Sequence, residues 1–262
     1  MNEPAVNLRP EVRSSAEQEI LALWECAAAP AGCGLGLDRD DALLATAFAG
    51  SVPRALGQRH GLLLALRQRL FGAALTLRSD CPQCAATAEF TVDCAALQPV
   101  LQAAAEVPPA LCVEHAGWRA QCRAPDAFDL RAAARTAPRN DAAAIARELL
   151  QRCVLQCHSP RGLAAPDEAW PEALLEAVSL AMAAADPGAT LDFELRCPAC
   201  GKVWSTPLDP GSVLWSELQH HAERALLDID ALARAYGWTE PQVLALSPTR
   251  RAAYLQLVGH AA

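Results

Sequence analysis

The sequence predicts an α+β chain, mainly α-helical, in which two short β-hairpins interrupt the helical segments. Three observations carry that reading. Alanine and leucine dominate while aromatic residues make up only 5% of the 262 positions, a balance that favours helices. Apolar residues recur at helical spacing between polar caps and glycine or proline stops along most of the chain. Two stretches differ: "ALTLRSDCPQCAATAEFTV" and "LDFELRCPACGKVWSTPL" each read as strands on both sides of a Cys-Pro-x-Cys turn.

Bulk composition narrows the classes. The chain is 52% hydrophobic and 20% charged, which suits a globular protein with a real core. No apolar run approaches the ~18 residues of a membrane span, and "MNEPAVNLRPEVR" lacks the apolar stretch of a secretory signal. Eleven cysteines without such a signal imply a reducing, cytoplasmic setting, where paired cysteines more often mean metal or redox chemistry than disulfides. A net charge of −8 argues against a nucleic-acid phosphate backbone as the main partner. Neither nucleic acid nor membrane is expected as a partner.

Each element has its own signal. In "SSAEQEILALWECAA", Ser14 and Glu17 form a capping box, and Ile20, Leu23 and Trp24 share a helix face. "DRDDALLATAFAG" reads as a short helix from Asp38 to a stop near Gly50. "LGQRHGLLLALRQRLFG" sets Leu62, Leu63, Leu66 and Leu70 at helical spacing before a stop at Gly72, with Arg59, Arg67 and Arg69 mainly off that stripe. The strand "AEFTVDC" follows the first cysteine pair, and "CVEHAGWRAQCR" predicts a hairpin turning near Gly117. "DAFDLRAAART" and "NDAAAIARELLQRCVLQC" read as helices capped by Asp126 and Asn140, with a loop in "HSPRGLAAPDEAWP". "EALLEAVSLAMAAADPG" is a helix stopped by Asp186, Pro187 and Gly188, and "TLDFEL" alternates Leu191, Phe193 and Leu195 as a strand.

The tail is all helix. Leu214, Leu218, Ala222, Leu226, Ile229, Ala233 and Tyr236 form one expected stripe. Thr239 and Gln242 make a second capping box, and Ser247 caps a last helix with Pro248 at its first position.

The two cysteine pairs pose the chemical question. A pair in the turn between two strands is a metal knuckle, and a structural zinc takes four ligands of which one knuckle supplies two. Cys81, Cys84, Cys197 and Cys200 therefore complete one Zn(2+) site, a zinc ribbon split into two β-hairpin knuckles. A fully ligated zinc leaves no position for substrate, so the site is read as scaffolding. The rival is a thiol oxidoreductase, whose chemistry wants its pair at a helix N-terminus. "GKVWSTP" after Cys200 is a poor helix start and a good strand. The expected organisation is a helical N-terminal region (1–74), a first knuckle (75–94), an inserted helical segment with a small hairpin (95–189), a second knuckle (190–208) and a helical C-terminal region (209–262).

Other candidates read as structural. Cys153, Cys157 and His158, placed at one helix end, are expected to pack in the core rather than hold a second metal. Cys26, Cys33, Cys94, Cys112 and Cys122 are read as small buried hydrophobes, and His220 and His221 as solvated. No phosphate loop, nucleophile elbow or His-Glu metal helix is present.

Against this reading stands a resemblance. "LLLALRQRLFGAALTLRSDCPQCAATAEFTV" and, more closely, the stretch from "CPACGKVW" to "RRAAYLQLV" resemble the T-even-type phage baseplate hub assembly proteins, which also occur in gene clusters of phage-tail-like contractile injection systems. The matching positions are Trp215 and Glu217, Tyr236 to Glu240, then Leu246, Ser247, Arg250, Arg251, Tyr254 and Leu255, with "CRAPDAFDLRAAAR" in the middle segment. Many relatives carry histidine where Asp230 stands, and that position is assigned no role. The resemblance implies a non-enzymatic assembly chaperone or minor component of the baseplate hub, partnered by hub or tail proteins of its own gene cluster. The concentration of Trp215, Tyr236, Trp238 and Tyr254 near Arg250 and Arg251 places the expected partner surface on the tail, with Glu217 beside it. A zinc-ribbon adaptor in transcription or translation is the alternative reading, and a metal-dependent enzyme the third.

Overall fold

The computed structural model describes residues 16–28, 36–103, 108–136, 141–164 and 170–261. Its elements run α1 (Ala16–Ala27), α2 (Leu37–Ala47), α3 (Leu56–Phe71), the hairpin β1 (Ala74–Asp80) and β2 (Thr87–Asp93), and α4 (Gln98–Ala103). A second hairpin, β3 (Leu111–His115) and β4 (Trp118–Cys122), precedes α5 (Ala127–Thr136), α6 (Ala142–Cys153), β5 (Val154–Ser159), β6 (Gly162–Leu163) and α7 (Glu172–Ala185). Last come β7 (Leu191–Arg196), β8 (Val203–Leu208), α8 (Pro210–Tyr236), α9 (Glu240–Leu244) and α10 (Pro248–Ala261). The class is mixed α+β, as the composition predicts, and every strand pairing is antiparallel.

The chain forms two compact units: Met1–Pro30, Arg39–Ser51 and Ser212–Ala262 in one, Ala31–Asp38 and Val52–Gly211 in the other. The first is helical. Its core joins Leu21 of α1 to Ala222, Ala225, Ile229 and Leu232 of α8 and to Val243 and Leu244 of α9. Along α8 the buried positions are Leu214, Leu218, Ala222, Ala225, Ile229 and Leu232. The expected stripe holds at Leu214, Leu218, Ala222 and Ile229, but Leu226 falls off it, because three successive steps of four each overrun the helical turn by about 40°. Leu226 lies 40% exposed, as does Tyr236 in the last turn of the helix.

Capping works as expected at the tail: the Gln242 Oε1 accepts the Thr239 N–H at 2.9 Å, and the Ser247 Oγ accepts the Arg250 N–H at 3.4 Å. At the other end Ser14 lies outside the described residues. Glu17 instead pairs with the Arg251 guanidinium, joining α1 to α10. Arg251 is 3% exposed, which corrects its reading as half of a surface pair; Arg250 alone is exposed.

In the second unit, α3 begins at Ala55, which has no capping side chain. The cap comes from elsewhere: the buried Asp186 carboxylate at the end of α7 accepts the Gly57 N–H at 3.0 Å. His60 Nδ1 hydrogen-bonds the Gly188 carbonyl oxygen at 2.9 Å. The stop after α7 thus doubles as the start of α3, a carboxylate at the positive end of a helix dipole. The buried face of α3 carries Leu63, Leu64 and Leu66 but also Arg59 and Arg67, a second correction. Both guanidiniums donate to carbonyl oxygens, Arg59 to Pro53 at 3.2 Å and Arg67 to Gly72 at 2.6 Å, so each buried charge has a main-chain acceptor.

A four-stranded sheet, ordered β3-β4-β5-β6, packs one face on α7. Val113, Ala120, Cys122 and Cys157 meet Leu174, Val178 and Met182 there. Ala116 and Gly117 turn its first hairpin with φ values of 49° and 81°, the left-handed pair a tight hairpin needs. Two boundaries differ from expectation. Asp141, not Asn140, caps α6, accepting the Ala144 N–H at 2.9 Å, and Asn140 lies outside the described residues. "VLQC" is strand rather than helix: β5 pairs with β4, and its β-branched Val154 starts an extended run that the sheet edge rewards. "HSPRGL" likewise closes a hairpin through β6 instead of forming a loop.

The Arg251–Glu17 pair generates a prediction. Arg251→Ala should destabilise the folded protein by about 3 kcal/mol, because it strands a partly buried carboxylate, whereas Arg250→Ala should stay within about 0.5 kcal/mol. Urea denaturation of both variants checks this, and equal midpoints would contradict it.

Candidate metal centre

Two hairpins bring the cysteines together. In β1–β2 the register ends at Asp80 opposite Thr87, and in β7–β8 at Arg196 opposite Val203. Alternation then gives each ribbon one inner face: Leu75, Leu77, Ala88, Phe90 and Val92 on the first, Leu191, Phe193, Leu195, Trp204 and Leu208 on the second are all at least half-buried. The ribbons touch through these faces. The Phe90 and Phe193 rings lie 5.9 Å apart, the Trp204 indole N–H donates to the Ser79 Oγ at 3.2 Å, and Ser79 donates to Thr206 at 3.3 Å.

The turns are copies of one another. The Cys81 N–H donates to the Ala86 carbonyl oxygen at 3.0 Å while the Cys81 oxygen accepts from Ala85 at 2.9 Å. In the second turn the Cys197 N–H donates to Lys202 at 2.8 Å and the Cys197 oxygen accepts from Gly201 at 3.0 Å. Both turns put the residue after the second cysteine in the left-handed region, Ala85 with φ 56° and Gly201 with φ 75°.

Across the two turns, the Cys81 and Cys200 sulfurs lie 3.7 Å apart and the Cys84 and Cys197 sulfurs 3.6 Å apart. All four sulfurs fall within 4.8 Å of one another. A tetrahedral ion with metal–sulfur bonds of about 2.3 Å requires sulfur–sulfur edges of about 3.8 Å, and a disulfide about 2.05 Å. The distances fit the tetrahedron and exclude the disulfide. Among the described residues this is the one such group, and it can hold a metal ion. Cys81 and Cys197 are buried, Cys84 and Cys200 exposed, so the centre sits at the surface.

Backbone dipoles prepare the sulfurs for charge. The N–H groups of Cys200 and Ala199 point at the Cys197 sulfur and draw its pKa down to about 6. The Ala86 N–H favours the Cys84 thiolate in the same way, but the facing Cys197 and Cys200 sulfurs and desolvation push that thiol up to about 12. The Lys202 N–H likewise aids Cys200, whose thiol desolvation and the Cys197 and Cys81 sulfurs nonetheless raise. Opposite shifts at Cys197 on one side and Cys84 and Cys200 on the other mean that these sulfurs do not all carry charge readily together, a repulsion that a bound cation would relieve.

No family model, curated protein or solved structure matches this chain.

The remaining cysteines divide. Cys153 ends α6 while Cys157 and His158 stand in β5, so they do not share a helix end. Cys153 and Cys157 pack in the sheet–helix core, and His158 faces solvent. Beside Cys153, Asp129 takes a bidentate pair from Arg123, at 2.5 and 2.8 Å. Burial works against the Asp129 carboxylate, but the Arg123 guanidinium and the Asp126 N–H outweigh it and hold its pKa below the ordinary value. Burial and that carboxylate push the Cys153 thiol up to about 12, which leaves it unreactive. Cys94 and Cys122 are buried as expected, but Cys26 and Cys112 are exposed, and Cys33 lies outside the described residues.

The tail candidates also divide. Tyr236, Trp238 and Tyr254 form one aromatic cluster, with ring centroids 4.8, 4.9 and 5.6 Å apart. Trp215 instead lies under the Arg39 guanidinium at 5.2 Å, and Glu217 is half-buried. Arg250 is exposed, Arg251 internal. No helix among the described residues is long and apolar enough to cross a membrane.

The mirrored turns predict an asymmetry. Gly201→Ala should cost about 1 kcal/mol for its left-handed backbone alone, since an added Cβ meets nothing within 4 Å. Ala85→Gly should be neutral or slightly stabilising, as it relieves the same conformation. Thermal melts of the two variants, compared with the parent at equal metal content, test the pair; the same sign for both would refute the shared backbone argument.

Proposed function

We propose that the tetrad holds a structural zinc and that the chain is a non-enzymatic assembly factor or minor component of the baseplate hub of a contractile tail, phage or phage-tail-like. The four-sulfur geometry at the meeting of two distant hairpins is the observation that supports the first half. A zinc ribbon of this kind, with all four ligands protein thiolates, binds the metal closed and gives it the task of joining chain segments. Because thiolates must form for binding, the metal is retained at neutral pH and released as acid protonates the sulfurs.

The second half rests on the resemblance of the tail and knuckle motifs to baseplate hub assembly proteins. An aromatic cluster with a 40% exposed Tyr236, and with the exposed Arg250 one helical turn before its Tyr254, is compatible with a docking face for a hub or tail protein. Assembly in the cytoplasm belongs to the same reading.

Two measurements test it. Elemental analysis of the purified protein should give about one zinc per chain, and Cys197→Ser should lose it. Combining Tyr236→Ser with Arg250→Ala, both at exposed positions and with Arg251 kept, should preserve zinc and the folded state, with the melting temperature lowered only by the lost ring stacking of about 1 kcal/mol, yet abolish capture of a hub protein encoded in the same gene cluster. Undiminished capture would remove this face from the interface. Failure of the parent protein to capture any tail component would favour an adaptor role elsewhere.

A further inference from the structure

We propose that the four-cysteine centre is built to exchange its metal for two covalent links under oxidation, the disulfides Cys81–Cys200 and Cys84–Cys197, each crossing from one hairpin to the other. This rests on the metal reading above but concerns what the sulfurs do when the metal is lost.

Three features of the site carry it. The first is access. Cys84 and Cys200 are exposed while their facing partners, Cys197 and Cys81, are 2% and 3% exposed. A small oxidant reaches one sulfur of each crossing pair, and the other waits within reach. The interior thiols are poor competitors: Cys94, Cys122 and Cys153 are fully buried.

The second is distance. The crossing pairs stand at 3.7 and 3.6 Å, so closing to a disulfide of about 2.05 Å needs a shift of under 2 Å, within reach of small rotations about the Cα–Cβ bonds of the two cysteines. The third is what each pairing does to the fold. A bond between Cys81 and Cys84, or between Cys197 and Cys200, closes only a turn that β-pairing already closes. A crossing bond spans 119 or 113 positions of sequence and keeps the two hairpins joined after the metal has gone. The contacts identified between the hairpins, Phe90 with Phe193 and the Trp204–Ser79–Thr206 hydrogen bonds, hold the two inner faces together throughout.

The chemistry balances with a two-electron oxidant of the peroxide class. The exposed thiolate attacks hydrogen peroxide, giving a sulfenic acid and hydroxide. The buried thiolate then attacks that sulfur, forming the disulfide and expelling a second hydroxide. Two peroxides oxidise four thiolates, and the metal leaves as an unchanged divalent cation. A dithiol reductant reverses both bonds and restores the ligands.

The test uses the full-length protein as purified, with its zinc measured first. Two equivalents of hydrogen peroxide should release the zinc to a colorimetric chelator. Peptide mapping without reduction should then show Cys81 joined to Cys200 and Cys84 to Cys197. The oxidised protein should melt above the same protein stripped of zinc by a chelator and kept reduced. Dithiothreitol with added zinc should return the original metal content. Zinc release accompanied by bonds within each turn, or by sulfinic and sulfonic acids, would overturn the proposal, as would a tetrad that keeps its zinc while Cys26 or Cys112 is oxidised. Protein purified without zinc would refute the metal reading instead, and the disulfide map of that protein would still decide the pairing.

Discussion

The structure depends on closing a long loop at one point. Cys81 and Cys200 are 119 positions apart in sequence and 3.7 Å apart in space, and most of the second unit lies between them. The entropy of such a closure grows only with the logarithm of loop length, so a long insertion costs little more than a short one. Something must still supply the closing energy. The hairpins offer modest inner faces, with one ring pair and two hydroxyl-centred hydrogen bonds identified between them. The backbone contributes as well, because both turns direct N–H groups at cysteine sulfurs, although burial and the crowded sulfurs outweigh them at Cys84 and Cys200 and leave the thiol lowered overall at Cys197. A cation held by the four sulfurs would add its binding energy to the fold at this point.

A shortage of aromatic side chains shapes the rest. With few large rings to fill space, the interior recruits arginines: Arg59 and Arg67 in one unit, Arg251 in the other, none more than 4% exposed. Each brings a long aliphatic stem together with a charge that has to be met by carbonyl oxygens or a carboxylate. The buried Asp186 follows the same logic, since the α3 N-terminus gives its carboxylate a donor and a favourable dipole. Such groups are specific rather than merely cohesive. A leucine in the place of Arg251 could pack in several registers, whereas a guanidinium must find Glu17. This is how α1 is tied to α10, with the two partners 234 positions apart in sequence.

The helical tail shows how core and surface share one helix. Its inner stripe takes steps of three and four, which leaves Leu226 and Leu227 facing outward, and Tyr236, the last residue of the helix, is 40% exposed. Tyr236 is not idle there, because it stacks on Trp238 at an interplanar angle of 24° while Tyr254 meets Trp238 at 90°. One edge of this cluster is core and the other is surface. The proposed docking role uses the outer edge and leaves the inner edge to stability, so the two demands on the aromatic residues need not compete.

The sequence by itself determined the elements whose cause is local. Caps at Thr239 and Ser247, the turn at Gly117, the stop at Gly72 and the strand–turn–strand frame around each cysteine pair follow from backbone preferences within a few residues, and the structure has them there. The pairing of two Cys-Pro-x-Cys turns into one tetrad was also legible, because tetrahedral coordination needs four thiolates and each turn provides two. Tertiary structure decided the rest. Whether "VLQC" continued a helix or joined a sheet depended on β4 being alongside to accept its hydrogen bonds. The burial of Arg251 depended on Glu17, 234 positions away, while Arg59 and Arg67 met carbonyl oxygens close by in sequence, at Pro53 and Gly72; the outward position of Leu226 on α8 depended on where α1 and α9 lay. A charge reads as surface in a sequence because its partner is distant in the chain, and only folding brings the two together.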